Sequence, residues 1–339
     1  MKKIHIVIPD LFLPQQLAAY ACKDLHVPAL QKLLARAQEM PSSADTLEAW
    51  LCAQFAVEGM ALAPLTLQAD GLAAGGAYWL RADPVAISTQ RGQMVLQNNL
   101  VLQQSEAAQL CASLNAHFAA EGMQFVSPHP QRWYLQLQQA PQMQTHPLSR
   151  VVGADMHAHL PYGEDALHWH SVFNEIQMLF YEHAVNQARE QRGELAVSGL
   201  WLWGGGMLAQ HVRSDFGAVA GNSELASALA KAAGLHLYDT AREMLAPTAQ
   251  SRQLLVWESP RNALQAANLA QWRNALQQLE TEFVAPLLAA LAAGQLQQLT
   301  LEVLSEGGSR RFVLQRAALW KIWRRPRSLL HYAMQPVDD

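Results

Sequence analysis

Residues 4–10 read IHIVIPD, and this short stretch decides the fold class of the chain. The residues before the proline are mostly β-branched, which is typical of a strand covered on both faces of a parallel sheet. Pro9 and Asp10 end that strand. Ligands of open α/β sheets collect at the carboxyl ends of the strands, so Asp10 is the first candidate functional residue. Its carboxylate either binds a cation or is an ordinary turn aspartate.

Helices and strands alternate along most of the remaining chain. The hydrophobic pattern predicts helices at 28–38, 44–56, 165–191, 221–234 and 262–292, and strands at 198–203, 252–257, 298–304 and 310–315. This alternation favours an α/β protein with a doubly wound, mostly parallel sheet. Residues 68–150 instead combine Gly-rich turns, strands and one helix, and we expect them to form a smaller inserted α+β domain. The core then comprises residues 1–67 and 151–339.

The composition is that of a folded protein that is neither strongly basic nor rich in disulfides. Of 339 residues, 50% are hydrophobic and 15% are charged, which supplies a core and argues against disorder. The net charge of −4 argues against general nucleic-acid binding, and we expect no DNA partner. Three widely spaced cysteines, Cys22, Cys52 and Cys111, predict free thiols. No predominantly apolar stretch is long enough for a transmembrane segment, so we expect a cytoplasmic protein.

Two histidine pairs form a candidate metal site. His157 and His159 lie close to Asp155, and His168 and His170 follow shortly after. In a strand, two histidines separated by one residue point to the same face and can bind Zn²⁺ or Fe²⁺. The alternative is a polar surface segment, which is favoured because neither an HExxH motif nor a cysteine ligand accompanies the pairs.

Serine, arginine and a basic segment supply the other candidates. Ser42 and Ser43 precede a predicted helix, where a serine either caps the helix or acts as a nucleophile near the free amides. Arg81 and Arg132 lie in predicted strands and can bind a carboxylate or phosphate bidentately, or form internal salt bridges. Residues 310–327 combine basic residues with tryptophans. They contact an acidic partner, RNA or an anionic lipid surface, or form a terminal segment packed by its tryptophans.

Residues 183–206 carry a family resemblance. They read HAVNQAREQRGELAVSGLWLWGGG and are similar to the stretch HPVNxxRxxxGxxxANxxxxRGxG of archaeal-type cofactor-independent phosphoglycerate mutases. Residues 27–37 resemble the family's TPNLDxLAxxG, 77–87 resemble its xxAFRCNxxTV strand, and 153–157 stand where it has DTDPH. Residues 279–291 resemble the long helix between two of its metal motifs. The matching positions in the first segment are His183, Val185, Asn186, Arg189, Gly193, Gly204 and Gly206.

This resemblance covers nearly the whole chain and implies the fold of the alkaline-phosphatase-like superfamily. That fold has a doubly wound sheet with two divalent metals, a serine nucleophile and a smaller inserted domain. Ser42 or Ser43 matches the nucleophile segment, and Asp10 matches a metal ligand at the end of the first strand. The ligand-binding residues that the resemblance implies are Arg81, Asp155, His157, His183, Asn186 and Arg189.

Two metal motifs of that family are missing from this sequence. Residues 258–268, ESPRNALQAAN, stand in place of DxxGHxGD, and residues 302–311, EVLSEGGSRR, stand in place of DHSTP. Asp10 is the only metal ligand that can be matched by position, whereas two ions need roughly six ligands. We therefore expect a phosphoglycerate mutase-like protein that has lost most dimetal ligands, has a non-catalytic binding or regulatory role and needs no cofactor.

Two alternatives stay open, and with them the question of whether the chain is an enzyme. The first is an active metal-dependent, 2,3-bisphosphoglycerate-independent phosphoglycerate mutase or phosphatase with a rebuilt Mn²⁺ or Zn²⁺ site. Its ligands are drawn from Asp10, Asp155, His157, His159, His168 and His170. The second is an adaptor that uses the basic segment 310–327 to bind RNA or a membrane surface. The expected ligand of the arginines is a phosphorylated or acidic small molecule.

Overall fold

The computed structural model describes residues 2–42, 45–90, 92–305 and 308–335. The chain divides into two compact units: unit 1 combines Met1–Ala56 with Val212–Asp339, and unit 2 spans Val57–His211.

The strands are β1 Lys2–Pro9, β2 Gln38–Ser42, β3 Tyr78–Gln90, β4 Gln93–Gln97, β5 Gln124–His129, β6 Arg132–Leu137, β7 Met143–Gln144, β8 Tyr162–Gly163, β9 Gly199–Gly206, β10 Ala218–Gly221, β11 His236–Tyr238, β12 Arg252–Val256, β13 Leu296–Leu304 and β14 Ser309–Gln315. The α-helices are α1 Gln15–Ala21, α2 Pro28–Arg36, α3 Leu47–Gln54, α4 Ala63–Ala69, α5 Gln104–His117, α6 Leu148–Val151, α7 Ala166–Tyr181, α8 Ala184–Gln191, α9 Glu224–Ala232, α10 Ala241–Leu245, α11 Ser259–Gln265, α12 Leu269–Leu279, α13 Ala285–Ala292 and α14 Leu329–Ala333. Short 3₁₀ helices occupy Glu58–Met60, Ala119–Glu121, Met156–His159 and Arg316–Trp320, and Glu280–Val284 is a π-helix.

Unit 1 is an α/β structure around a seven-stranded sheet, counted over the described residues. Its strand order is β11-β10-β12-β1-β13-β14-β2. The pairs from β11 to β13 are parallel, whereas β14 is antiparallel to both of its neighbours, so the sheet is mixed and mostly parallel. Val7 of β1 is in register with Val256 of β12 and Glu302 of β13. The carboxyl ends of these three strands therefore meet at one edge.

The first strand packs one face into the main core, as its sequence predicts. Ile4, Ile6 and Ile8 are buried together with apolar residues of α2, α12 and α13. The predicted helix at 28–38 is α2, and its three leucines at helical spacing are all buried. Because a strand alternates its side chains between two faces, His5 and Val7 point to the opposite face of the sheet.

Three predicted helices differ from the observed ones. The helix predicted at 165–191 is divided into α7 and α8. The helix predicted at 44–56 begins only at Leu47, where Thr46 caps it by accepting a hydrogen bond from the Ala49 amide. Ser42 lies at the end of the edge strand β2, and Ser43 lies outside the described residues. The single helix predicted at 262–292 is interrupted after α11, where Ala267 adopts a left-handed conformation and Asn268 caps α12.

The π-helix between α12 and α13 supplies a cap to another helix. Within the described residues, α2 has no side-chain cap of its own. The Glu280 carboxylate accepts hydrogen bonds from the Ala29 amide at 2.6 Å and the Leu30 amide at 2.9 Å. A negative charge at a helix N-terminus is favourable because the free amides carry partial positive charge. The N-terminus of α2 is therefore capped by a residue about 250 positions away in sequence.

Unit 2 contains an antiparallel sheet that is separate from the large sheet. Its strands follow the order β4-β3-β6-β5, and β9 also pairs with β3. The helices α5 and α7 bury apolar residues against it. The strand predicted at 198–203 is β9, and it continues through the three glycines 204–206. At Gly206 a Cβ atom would lie 2.3 Å from the Cβ of Ala61, so this position requires glycine for close packing.

The limits of the inserted domain stay a prediction. The segment 68–150 lies within unit 2, which begins at Val57 and ends at His211. The larger extent of unit 2 follows from β9, because this strand comes after residue 150 and pairs with β3. No helix in the described ranges has the length and apolarity needed to cross a membrane.

Candidate functional site

Asp10 lies at the carboxyl edge of the large sheet, immediately after β1. Its backbone is left-handed, with φ of 55°, a conformation that aspartate tolerates better than most residues. The Asp10 amide donates to the carbonyl of Leu304 at 2.9 Å, and the Trp272 indole N–H donates to the Asp10 carbonyl at 3.2 Å. These bonds hold the Asp10 backbone at the edge where the parallel strands end.

A guanidinium group from α11 lies among the carboxylates of this edge. Arg261 Nε donates to Asp10 Oδ2 at 3.1 Å, and its Nη1 lies 3.7 Å from Glu48 Oε1 of α3. Arg261 is 7% exposed and Glu48 is 6% exposed. Within the described residues, Arg261 Nη1 and Glu48 Oε2 are buried without a hydrogen-bond partner. We call Asp10, Glu48, Glu258 and Arg261 the edge cluster.

The surroundings of Glu258 in the edge cluster raise its pKa. Burial raises its pKa, and the nearby charges of Glu48 and Glu224 raise it further, against the opposing effects of Arg261 and a hydrogen bond from Ser223. For Arg261, burial disfavours the charged form, but Glu48, Asp10 and Glu258 outweigh it and raise the pKa. The arginine is therefore permanently charged, and burial favours the neutral form of Glu258.

These residues do not fit a pair of divalent ions. A divalent cation needs several hard oxygen or imidazole ligands that are free of other strong partners. Here Asp10 is bonded to Arg261, whose positive charge would repel a cation at the same carboxylates. Among the residues that the structure describes, no group of three or more His, Cys, Asp or Glu side chains is arranged to hold a metal.

A second charged cluster surrounds Glu302 of β13, which is fully buried. Its carboxylate accepts hydrogen bonds from Ser42, from Arg311 Nε at 2.6 Å and from His5 Nε2 at 3.2 Å. Burial alone raises the pKa of Glu302, but the hydrogen bonds from His5, Arg311 and Ser42 outweigh it and hold the pKa below its usual value. His5 also packs edge-on against Trp50 of α3.

Ser42 lacks the surroundings of an activated nucleophile in this arrangement. A serine nucleophile needs a base that takes its proton, and a carboxylate with a lowered pKa is a weak base. The Ser42 hydroxyl donates to such a carboxylate. The nucleophilic role of Ser42 stays a prediction, and that of Ser43 falls outside the described residues.

In unit 2, Arg81 is bound by the protein itself. Its Nη2 donates to Asp83 at 2.6 Å, and its guanidinium lies over the rings of Tyr134 and Trp203. The Trp203 indole N–H donates to the other oxygen of Asp83 at 2.7 Å. Arg132, in the adjacent strand β6, forms a bidentate pair with Asp70 in the same unit. An anion at Arg81 would therefore compete with an internal carboxylate.

The family-like residues of α8 make mainly structural contacts. His183 caps α8 by accepting from the Val185 amide, and burial lowers its pKa. Asn186 donates to two backbone carbonyls, at 2.7 and 2.8 Å, and accepts from the Val197 amide at 2.8 Å. Arg189 donates to Glu106 at 2.8 Å and to the carbonyls of two loops. A cavity of about 540 Å³ adjoins it, lined by Asn99, Leu100, Val101, Gln103, Ser105, Glu106, Arg189, Arg192, Glu194 and Leu195.

The histidine pairs do not lie on strands. His157 and His159 belong to a 3₁₀ helix, which Asp155 caps. His168 and His170 lie two residues apart on α7, so their side chains point in different directions. His157 is largely exposed and contacts Asp155 at 3.3 Å, and His170 bonds the Pro161 carbonyl at 2.8 Å. This geometry differs from the shared strand face on which the chelation hypothesis depends.

Sequence reasoning missed the charged residues that build the two clusters of unit 1. Glu258 and Arg261 come from the segment that replaces one metal motif, and Glu302 and Arg311 come from the segment that replaces the other. A search for Asp and His ligands passes over them. The sequence did contain a signal, because residues 258–268 and residues 302–311 each include both a glutamate and an arginine close to a predicted strand end.

Two solved structures are among the known proteins to which this chain is similar. No protein-family model matches the sequence, and none of the curated proteins is a significant match to it. The chain is similar to the cofactor-independent phosphoglycerate mutase from Thermoplasma acidophilum, with 14% identity over 92% of this chain and 89% of that chain and a TM-score of 0.45. It is also similar to the PH0037 protein from Pyrococcus horikoshii, with 10% identity over 93% of this chain and 87% of that chain and a TM-score of 0.47.

Proposed function

We propose that this chain is a phosphoglycerate mutase-like protein that has lost most dimetal ligands and has a non-catalytic binding or regulatory role. In this proposal residues 1–67 and 151–339 form an alkaline-phosphatase-like core with a doubly wound sheet, and residues 68–150 form the inserted α+β domain. The observation that carries the proposal is the edge cluster, in which Arg261 provides the positive charge for carboxylates at the end of β1.

The charge balance of the edge cluster supports this proposal. A phosphoryl-transfer site needs cations that neutralise the transferring group, and the loss of that charge stabilisation costs several kcal/mol at the transition state. Arg261 is buried and engaged by two carboxylates. It therefore offsets part of the negative charge of the cluster but has little reach toward a bound phosphoryl group.

Metal uptake by the purified protein tests the proposal. We expect Mn²⁺ and Zn²⁺ titrations, followed by calorimetry and by metal analysis after dialysis, to show no stoichiometric binding at the edge cluster. Phosphoglycerate mutase and phosphatase activities with either metal should stay at the level of the buffer. Uptake of about two equivalents that Asp10→Ala abolishes, together with activity, would establish the alternative of an enzyme with a rebuilt site.

The binding role has a candidate place in unit 2, next to Arg189. A phosphorylated or acidic small molecule in the 540 Å³ cavity would meet Arg192, which is half-exposed and pairs with Glu106 at 2.6 Å and with Glu194 at 2.8 Å. Ion pairs that are this exposed contribute little, so an anion can replace Glu194 at small cost. Calorimetry with phosphoglycerate tests this: Glu194→Gln should strengthen binding, and Arg192→Gln should weaken it. If neither the wild type nor Glu194→Gln binds phosphoglycerate, the proposed binding of a phosphorylated small molecule in this cavity is wrong.

A further inference from the structure

The C-terminal part of unit 1 carries an exposed segment that is both apolar and basic. Trp320, Ile322 and Trp323 are 76%, 72% and 73% exposed. Monomeric proteins expose single apolar residues widely, but three large ones within four positions form a patch. The basic residues of the same segment are Lys321, Arg324, Arg325 and Arg327. We call residues 320–327 the WKIW segment.

This segment is fixed to the core at both of its ends. Leu319 before it is buried, as are Leu329 and Tyr332 of α14 after it. Arg324 Nη1 donates to the carbonyl of Ala37 at 3.1 Å. The apolar side chains are therefore presented to solvent by an anchored loop, and they do not pack inward as the alternative interpretation of residues 310–327 expects.

The preceding basic residues are already engaged inside unit 1. Arg310 forms a bidentate pair with Glu39, and Arg311 donates to Glu302. Arg316 donates to the carbonyl of Ala292. The positive charge that is available to a partner therefore comes from the WKIW segment and not from the whole of residues 310–327.

We propose that the WKIW segment docks on an anionic lipid surface. The WKIW segment has four Lys or Arg residues and lacks Asp and Glu, in a chain whose net charge is −4. Such a local positive field is complementary to acidic headgroups. Tryptophan prefers the boundary between water and acyl chains. Ile322 favours lipid over RNA, because an aliphatic side chain gains from acyl chains but offers no ring on which a base can stack.

Vesicle flotation of the full-length protein tests this proposal. We expect binding to vesicles of phosphatidylcholine with about one quarter phosphatidylserine and much weaker binding to phosphatidylcholine alone. Raising the salt from about 0.1 M to about 1 M shortens the screening length from about 10 to about 3 Å and should release the protein. The double variant Arg325→Gln, Arg327→Gln should bind about fivefold more weakly for each charge removed. Trp320→Ala with Trp323→Ala should lose binding.

Exposed residues elsewhere provide matched controls. Tyr181→Ala and Arg242→Gln remove an exposed aromatic ring and an exposed positive charge outside the segment, and they should leave flotation unchanged. Circular dichroism verifies that each variant is folded. Equal binding to neutral and anionic vesicles, or no binding at low salt, would overturn the proposal. So would capture of poly-uridine RNA without vesicle binding, or a dimer that light scattering shows to depend on Trp320 and Trp323.

Discussion

Replacing Arg261 with methionine tests whether the edge cluster depends on this charge. Methionine keeps much of the side-chain volume but removes the hydrogen bond to Asp10 and the ion-pair contact with Glu48. Removal of one partner from a buried ion pair costs about 3 to 5 kcal/mol, because the remaining charge is uncompensated. Since the Asp10 side chain is a quarter exposed, we expect the lower end, a loss of about 3 kcal/mol in the free energy of unfolding of unit 1.

The pH dependence separates the electrostatic loss from a packing loss. The pKa of Glu258 is already raised in the folded protein, and Arg261 opposes that rise. Without Arg261 the folded-state pKa rises further, so proton uptake by Glu258 favours folding. The difference in stability between variant and wild type should be largest above this pKa and should shrink as the pH falls through it. A packing defect would give a difference that does not vary with pH.

Hydrogen exchange of the β1 and β12 amides measures the opening free energy of unit 1 without assuming two-state unfolding of the whole chain. Arg252→Met is the matched control, because Arg252 and Asp215 form an exposed ion pair with side chains 51% and 81% accessible. Its loss should cost less than about 1 kcal/mol. A change below that value in Arg261→Met, or one independent of pH, would refute the structural role assigned to Arg261.

Three further predictions concern residues outside the edge cluster. The folded-state pKa of Glu302 lies below its usual value, so the free energy of unfolding should fall as the pH drops through the unfolded-state pKa and then the folded-state pKa. In Glu302→Gln, denaturation measured at several acidic pH values should show a smaller loss of stability. Asn186→Ala removes three buried hydrogen bonds to the backbone and should cost about 3 kcal/mol in urea unfolding, whereas a residue that acts only on a ligand would cost little. Burial raises the pKa of Cys52 to about 12 and that of Cys111 to about 11, so a thiol reagent at pH 8 should modify both only after unfolding; rapid labelling of the native protein would contradict their burial.

The framework of unit 1 was predictable because its signals are local. Residues 4–8 form a buried strand whose alternate isoleucines enter the core, and the leucines of α2 at helical spacing all point to the same core. The spacing of apolar residues along a strand or helix follows from which of its faces is buried, so the sequence pattern predicts such elements directly. The predicted strands at 252–257, 298–304 and 310–315 correspond to β12, β13 and β14.

The edge strand β2 was not predictable in the same way. Its residues, QEMPS, are largely exposed and lack an apolar alternation, and it forms by pairing with β14 about 270 positions later. Long-range pairing of this kind leaves no local pattern. As a consequence, the sequence suggested Ser42 at a helix start, whereas the helix begins at Leu47 after Thr46.

The charged clusters were hidden for a related reason. Arg261 meets Asp10 and Glu48 only because the sheet brings the ends of β1 and β12 together beside α3, and no spacing in the sequence encodes that convergence. The resemblance to the mutase family drew attention to missing aspartates and histidines. It did not indicate that glutamate and arginine in the same two segments would pair with what remained.

The helices α12 and α13 and the π-helix Glu280–Val284 between them form one continuous helix from Leu269 to Ala292. The π-helix determines in which direction the side chains of α13 point relative to those of α12. One residue of an α-helix turns the side-chain direction by about 100°. Deleting a single residue here would restore a regular helix, yet it would rotate Glu280 away from α2 or turn the leucines of α13 away from the sheet. The π-helix therefore allows Glu280 to cap α2 while the leucines of α13 face the sheet. Insertions or deletions in this turn should be tolerated less well than substitutions.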